Sequence, residues 1–159
     1  MNNRLVSKIG KACLAKNLTV AVVETAAGGG IALSITSVAG ASAWFDSSVV
    51  AYSGKSKLAL GTDYFVIQTS GAVSAETAVE MAFRYRNKMG VSLVLAETSF
   101  APPQKSGARS RKTVGTSFIA IAGPDGTSVK EYLFIGNRRK VMSDIVRTAL
   151  ADLFAQVSQ

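Results

Sequence analysis

Histidine is missing from all 159 residues, and that absence excludes more chemistry than any single motif supplies. Ser-His-Asp and Cys-His catalysis are ruled out, and with them the histidine-bearing zinc sites. A hydrolase built on this chain must take its base from lysine, a carboxylate or tyrosine. Cysteine is nearly missing too. The single Cys13 can close no internal disulfide and has no partner for a metal knuckle. It recurs with Leu5 and Ile9 at helical spacing, so a buried core thiol is expected. Long apolar runs are also lacking: none reaches the roughly 18 residues that span a bilayer. The opening MNNRLVSKIGKACLAKN is too interrupted by charge for a signal-peptide core. The expectation is a cytoplasmic protein with no membrane attachment.

Acidic residues are in deficit, 10 against 18 basic ones, which leaves a formal charge of +8. That balance favours an anionic partner such as a phosphorylated metabolite. The basic residues are scattered, apart from Lys105, Arg109, Arg111 and Lys112 in one segment and Arg138, Arg139 and Lys140 in another. No aromatic-rich basic stripe accompanies them, which argues against nucleic acid. What is abundant is apolar residue, 48% of the chain against 18% charged, enough to bury a core in one domain spanning 1–159.

Along the chain, residues 3–16 carry Leu5, Ile9, Ala12 and Cys13 at helical spacing. Leu18 to Val23 is a β-branched run, as in a strand covered on both faces. Gly28, Gly29 and Gly30 then lead into a short helical pattern ending near Val38. Val49 to Ser53 reads as a strand and Lys55 to Leu60 as a short helix. Ser74 and Gly90 bracket a helix of about four turns. Ser92 to Ala96 and Val114 to Ala122 read as strands. Gly123-Pro124-Asp125-Gly126 turns the second of these into a hairpin with Val129 to Ile135. A last helix runs from Arg138 to Val157, and residues 99–113 form one long polar loop. Helices alternating with strands, then a hairpin, predict an α/β fold, a three-layer α/β/α sandwich with a mixed sheet.

Two glycine-bearing segments invite a phosphate reading. Glu24-Thr25-Ala26-Ala27-Gly28-Gly29-Gly30 joins a strand to a helix, where free N–H groups attract anions. A tight turn made only for helix packing fits it equally. Ser53-Gly54-Lys55-Ser56 imitates the end of a P-loop, but Val49 stands where the first glycine is required, so a nucleotide-triphosphatase is rejected.

The order of motifs over residues 5–157 resembles the C-terminal domain of the competence/damage-inducible protein CinA. Its pattern is E-S-C-T-G-G, V-P-G-S-S-x-x-F, V-x-Y-S-N-x-x-K, G-A-V-S, T-G-I-A-G-P, K-P-V-G-T and G-D-R. The chain carries ETAAGG at 24–29, VAGASAWF at 38–45, VAYSGKSK at 50–57 and GAVS at 71–74. TSFAPP at 98–103, KTVGT at 112–116 and GNR at 136–138 follow. Departures are visible. Ala26 and Ala27 replace Cys and Thr, Gly54 replaces Asn, Thr113 replaces Pro, and Ser99 and Pro102 replace two glycines.

The resemblance implies hydrolysis of nicotinamide mononucleotide to nicotinic acid mononucleotide and ammonia, without cofactor or metal, in a homo-oligomer. It implies Ser42, Tyr52 and Lys57 as catalytic residues, with Ser42 the nucleophile and Lys57 its base. It implies Thr98 and Arg138 as substrate-binding residues, to which the loop adds Glu24, Gly28 and Gly29. Such a mechanism needs Lys57 neutral, against the ordinary lysine value of about 10.4. The departures favour a second expectation, a homologue that binds a phosphorylated ligand without turning it over. Because the family often joins this domain to a larger one, activity is expected to be self-contained or completed in trans.

Overall fold

Val20–Glu24 forms β1, and every one of its residues is buried. A strand with no exposed face must lie centrally and be covered on both sides. The computed structural model, which describes residues 3–102 and 113–159, puts it there. β1 pairs in parallel with β2 (Phe45–Val50) on one side and β3 (Leu93–Ser99) on the other. β4 (Thr116–Gly123) and β5 (Gly126–Leu133) continue the sheet antiparallel, in the order β2-β1-β3-β4-β5. The sheet is mixed, as expected.

Alternation along the strands builds two cores. Val20, Val22, Leu93 and Leu95 point to the layer made by α1 (Asn3–Ala15), α2 (Gly30–Thr36) and α6 (Arg138–Val157). Cys13 is wholly buried there, and burial pushes its thiol up to about 11. Ala21, Val23, Ala96 and Ala120 point the other way, onto α5 (Ala75–Met89). Their small side chains let α5 close on the sheet through Met81, Ala82 and Tyr85. Ser74 caps α5 by accepting from Thr77 N–H, and Gly90 ends it at φ 66°. The three-layer α/β/α architecture is therefore present.

Several boundaries differ from the sequence reading. β2 occupies Phe45–Val50 rather than Val49 to Ser53, because as an edge strand it is only half-buried and lacks a continuous apolar signal. Ser53 instead caps α3 (Gly54–Ala59) in a reciprocal capping box with Ser56. A further helix, α4 (Tyr64–Ser70), follows the cap Asp63 and buries none of its residues, so no apolar stripe announces it. The hairpin strand β5 begins at Gly126, directly after the turn. Of the long loop over 99–113, residues 103–112 lie outside the described residues, and with them Lys105, Arg109, Arg111 and Lys112. No helix among the described residues is long and apolar enough to cross a membrane.

Candidate functional site

The register Val23↔Val49 and Val23↔Ala96 brings the carboxyl ends of β2, β1 and β3 to one edge of the sheet. Open α/β sheets bind ligands beyond that edge. A cleft of about 250 Å³ lies there, lined by Thr25 after β1, Tyr52 and Lys57 after β2, Thr98 and Phe100 at the end of β3, and Arg138 at the start of α6. That volume is slightly below the roughly 300–1,000 Å³ usual for small-molecule sites.

Lys57 is the one buried residue of α3, 3% exposed. The capping box fixes α3 immediately after the chain leaves β2, and this directs the lysine inward. Its Nζ donates to Thr98 Oγ1 at 2.5 Å and to the Ala72 carbonyl at 2.6 Å. Thr98 in turn donates to the same carbonyl at 2.8 Å. All these acceptors are neutral. Burial therefore lowers the Lys57 pKa from 10.5 to about 8, opposed by the negative charge of Glu97. An amine in that range can exchange a proton near neutral pH.

At the mouth of the cleft, Arg138 Nη2 donates to Tyr52 Oη at 2.7 Å. Nη1 reaches the Ala101 and Pro102 carbonyls at 3.4 and 3.3 Å. Among the described residues the partners of Arg138 are a phenol and two carbonyls and no carboxylate, which leaves the guanidinium charge available to an anion. Tyr52 is exposed at the rim of the cleft. The structure thus brings together four of the expected residues, Tyr52, Lys57, Thr98 and Arg138.

The other four lie elsewhere. Ser42 is exposed in a short 3-10 turn, Ala41–Ala43, and borders a separate depression with Thr36 and Asp46. It precedes Phe45, whose register partner is Val20, and so belongs to the amino edge of the sheet. Across the length of β2, at about 3.3 Å per residue, that is roughly 17 Å from the cleft edge. Lys57 cannot serve as its base within one chain. Glu24 is fully buried and accepts from the N–H groups of Gly29, Ile31 and Ala32 at 2.9–3.0 Å. The start of α2, expected to attract a ligand's anion, is filled by the chain's own carboxylate. Gly28 and Gly29, at φ 63° and 93°, make the tight turn that permits this, and neither lines the cleft. The glycine half of this loop turns for packing, while its Thr25 and Ala26 line the cleft.

Two cleft features escape the sequence reading. Glu97 is fully buried between the cleft wall and the core, where it accepts from Thr25 N–H, Ala27 N–H and Ser99 Oγ. Burial raises its pKa, while those donors and Lys57 hold it down. A lone acid inside the apolar run Leu93 to Thr98 was the available signal. Thr25, 4% exposed, lines the cleft in the position the motif E-S-C-T-G-G gives to serine. Among the described residues no group of three or more Cys, Asp or Glu side chains is gathered to hold a metal.

Comparison with known proteins agrees with this architecture. A family model of the CinA C-terminal domain matches residues 2–157. A CinA-like protein of Flavobacterium psychrophilum is 36% identical over 94% of the chain, which covers 35% of that protein. The chain thus spans about a third of the length of such relatives. A competence/damage-inducible protein of Agrobacterium tumefaciens superposes with a TM-score of 0.88 at 30% identity, covering 99% of this chain and 95% of that one. The competence damage-inducible protein A of Klebsiella pneumoniae gives a TM-score of 0.93 at 25% identity, covering 99% and 97%.

Proposed function

The chain belongs to the CinA C-terminal domain family, and from that premise we propose that it is an amidohydrolase acting on nicotinamide mononucleotide or a similar phosphorylated amide in the cytoplasm. The observation that carries the reading is Lys57, a buried amine held at about 8 on the floor of a cleft whose mouth presents an arginine available to an anion. In this reading Arg138 binds the phosphate and Tyr52 holds the guanidinium in place.

The nucleophile is Thr25 rather than Ser42, since Thr25 shares the cleft with Lys57. The Thr25 hydroxyl donates to Glu97 Oε2 at 3.3 Å, so in this reading it turns from that carboxylate toward neutral Lys57, which takes its proton as the oxygen bonds to the carboxamide carbon. Collapse breaks the C–N bond, and the lysine ammonium returns the proton to the leaving group, which departs as ammonia. Water, deprotonated by Lys57, then adds to the ester carbon, and as the bond to Thr25 Oγ1 breaks the lysine ammonium returns that proton to the threonine, releasing the acid. A homo-oligomer is part of this reading, and the exposed ring pair of Tyr64 and Phe65 on α4 supports it.

Ammonia release from nicotinamide mononucleotide tests the assignment with wild type, Thr25→Ala, Thr25→Ser and Ser42→Ala. Turnover by wild type, Thr25→Ser and Ser42→Ala, with loss in Thr25→Ala, is the expected result. Loss in Ser42→Ala alone would return the nucleophile to Ser42 and require a second chain at the site. A binding homologue without turnover is favoured by Ala26 and Ala27, which remove two polar side chains of the motif. It would bind the mononucleotide and release no ammonia.

A further inference from the structure

Phe100 occupies the position that the motif T-G-I-A-G-P gives to isoleucine, and among the described residues its ring joins neither hydrophobic core. Along β3, Val94 and Ala96 pack into the α5-side core, and Thr98 continues on that side to meet Lys57 and the Ala72 carbonyl. Phe100 is the next residue of the same alternation. Its N–H donates to the Thr116 carbonyl at 2.9 Å and its own carbonyl accepts from Gly115 at 2.7 Å. Both backbone groups are thus engaged within the sheet edge, and Phe100 is one of the residues that line the cleft. The residue is half-buried yet belongs to neither core. Among the described residues no other ring stacks on it.

Beside it, Ala26, Val73 and Ala101 make the rest of an apolar wall, while Tyr52 and Arg138 supply the polar mouth. A ligand with its anion on Arg138 therefore has a flat apolar surface available for its other end. We propose that the Phe100 ring is a stacking platform for a planar ring of the ligand. The cleft then selects a phosphate ester that carries a flat heteroaromatic ring over the sugar phosphate alone. The inference rests on the reading of the cleft as a phosphate-ester site, and it makes Phe100 a specificity determinant that the motif residues do not include.

Calorimetric titration of the full chain with nicotinamide mononucleotide and with ribose 5-phosphate tests this, in wild type, Phe100→Leu and Phe100→Tyr. Wild type is expected to prefer the mononucleotide by about fivefold or more, the lower end of what an aromatic platform gives a stacked base. Phe100→Leu keeps the apolar bulk and is expected to bring the two affinities within about twofold, with ribose 5-phosphate binding unchanged. Phe100→Tyr keeps a ring and the preference. An unchanged ratio in Phe100→Leu overturns the proposal, as does binding of neither probe by wild type. The amidohydrolase reading fails separately: a ratio that depends on Phe100 with no ammonia released keeps the platform and removes the reaction.

Discussion

Replacing Lys57 by methionine keeps the apolar stem and removes an amine whose pKa burial has lowered to about 8. The folded-state pKa of about 8 lies below the ordinary value of 10.5. Between those values the unfolded chain binds more protons than the native one, so this group makes stability rise with pH across the window. Below about pH 8 its charge is carried into the fold at a penalty. Above 10.5 the penalty is gone. The separation corresponds to about 3 kcal/mol in full, of which about 2 kcal/mol is recovered between pH 7 and pH 9.5. Urea unfolding at those two pH values, in wild type and Lys57→Met, isolates it. Cys13 and Tyr132 also titrate at high pH, but they are present in both proteins and cancel in the difference, while Glu97, whose pKa rises once the Lys57 charge is lost, adds to the difference in the same direction. The wild-type change should exceed the variant's by about 2 kcal/mol in the stabilising direction. Parallel pH dependences would refute the claim that Lys57 is buried as a strained amine.

Three further outcomes follow from the same geometry. Glu24→Ala leaves three N–H groups at the start of α2 without their carboxylate and should cost about 3 kcal/mol or more in urea unfolding. Arg138→Gln keeps a donor for Tyr52 and loses the charge, so KM for the phosphorylated substrate should rise about tenfold with an unchanged unfolding midpoint. Gly115 sits at φ 97°, with the Phe134 carbonyl oxygen where a Cβ would stand. Gly115→Ala should therefore lower the thermal midpoint and the soluble yield together.

The parts of the fold readable from sequence are those whose local signal agrees with their place in the whole. β1 is a run of buried branched residues because it is central, and α5 announces both ends through Ser74 and Gly90. The shift of β2 and the silence of α4 share one cause: elements at the periphery bury little, so they carry little pattern. The site divides along a similar line. Tyr52, Lys57, Thr98 and Arg138 were found by motif, and the parallel register gathers them at one edge. Ser42 follows the motif equally well, but motif order does not say to which edge of a sheet a residue belongs. Glu24 fills the start of α2 itself, and a helix start that attracts anions looks the same in sequence whether or not the chain fills it. Glu97 shows the converse, an unexplained acid in an apolar strand, meaningful only once its donors from the cleft wall are known.

If Lys57 is the base of the proposed amide hydrolysis, the pH profile of ammonia release from nicotinamide mononucleotide will show it. kcat/KM should climb about tenfold per pH unit below the lysine's value of about 8 and level above it, with no release by Lys57→Met. Release by Lys57→Met at the wild-type rate, or no release by wild type at any pH, would contradict that role.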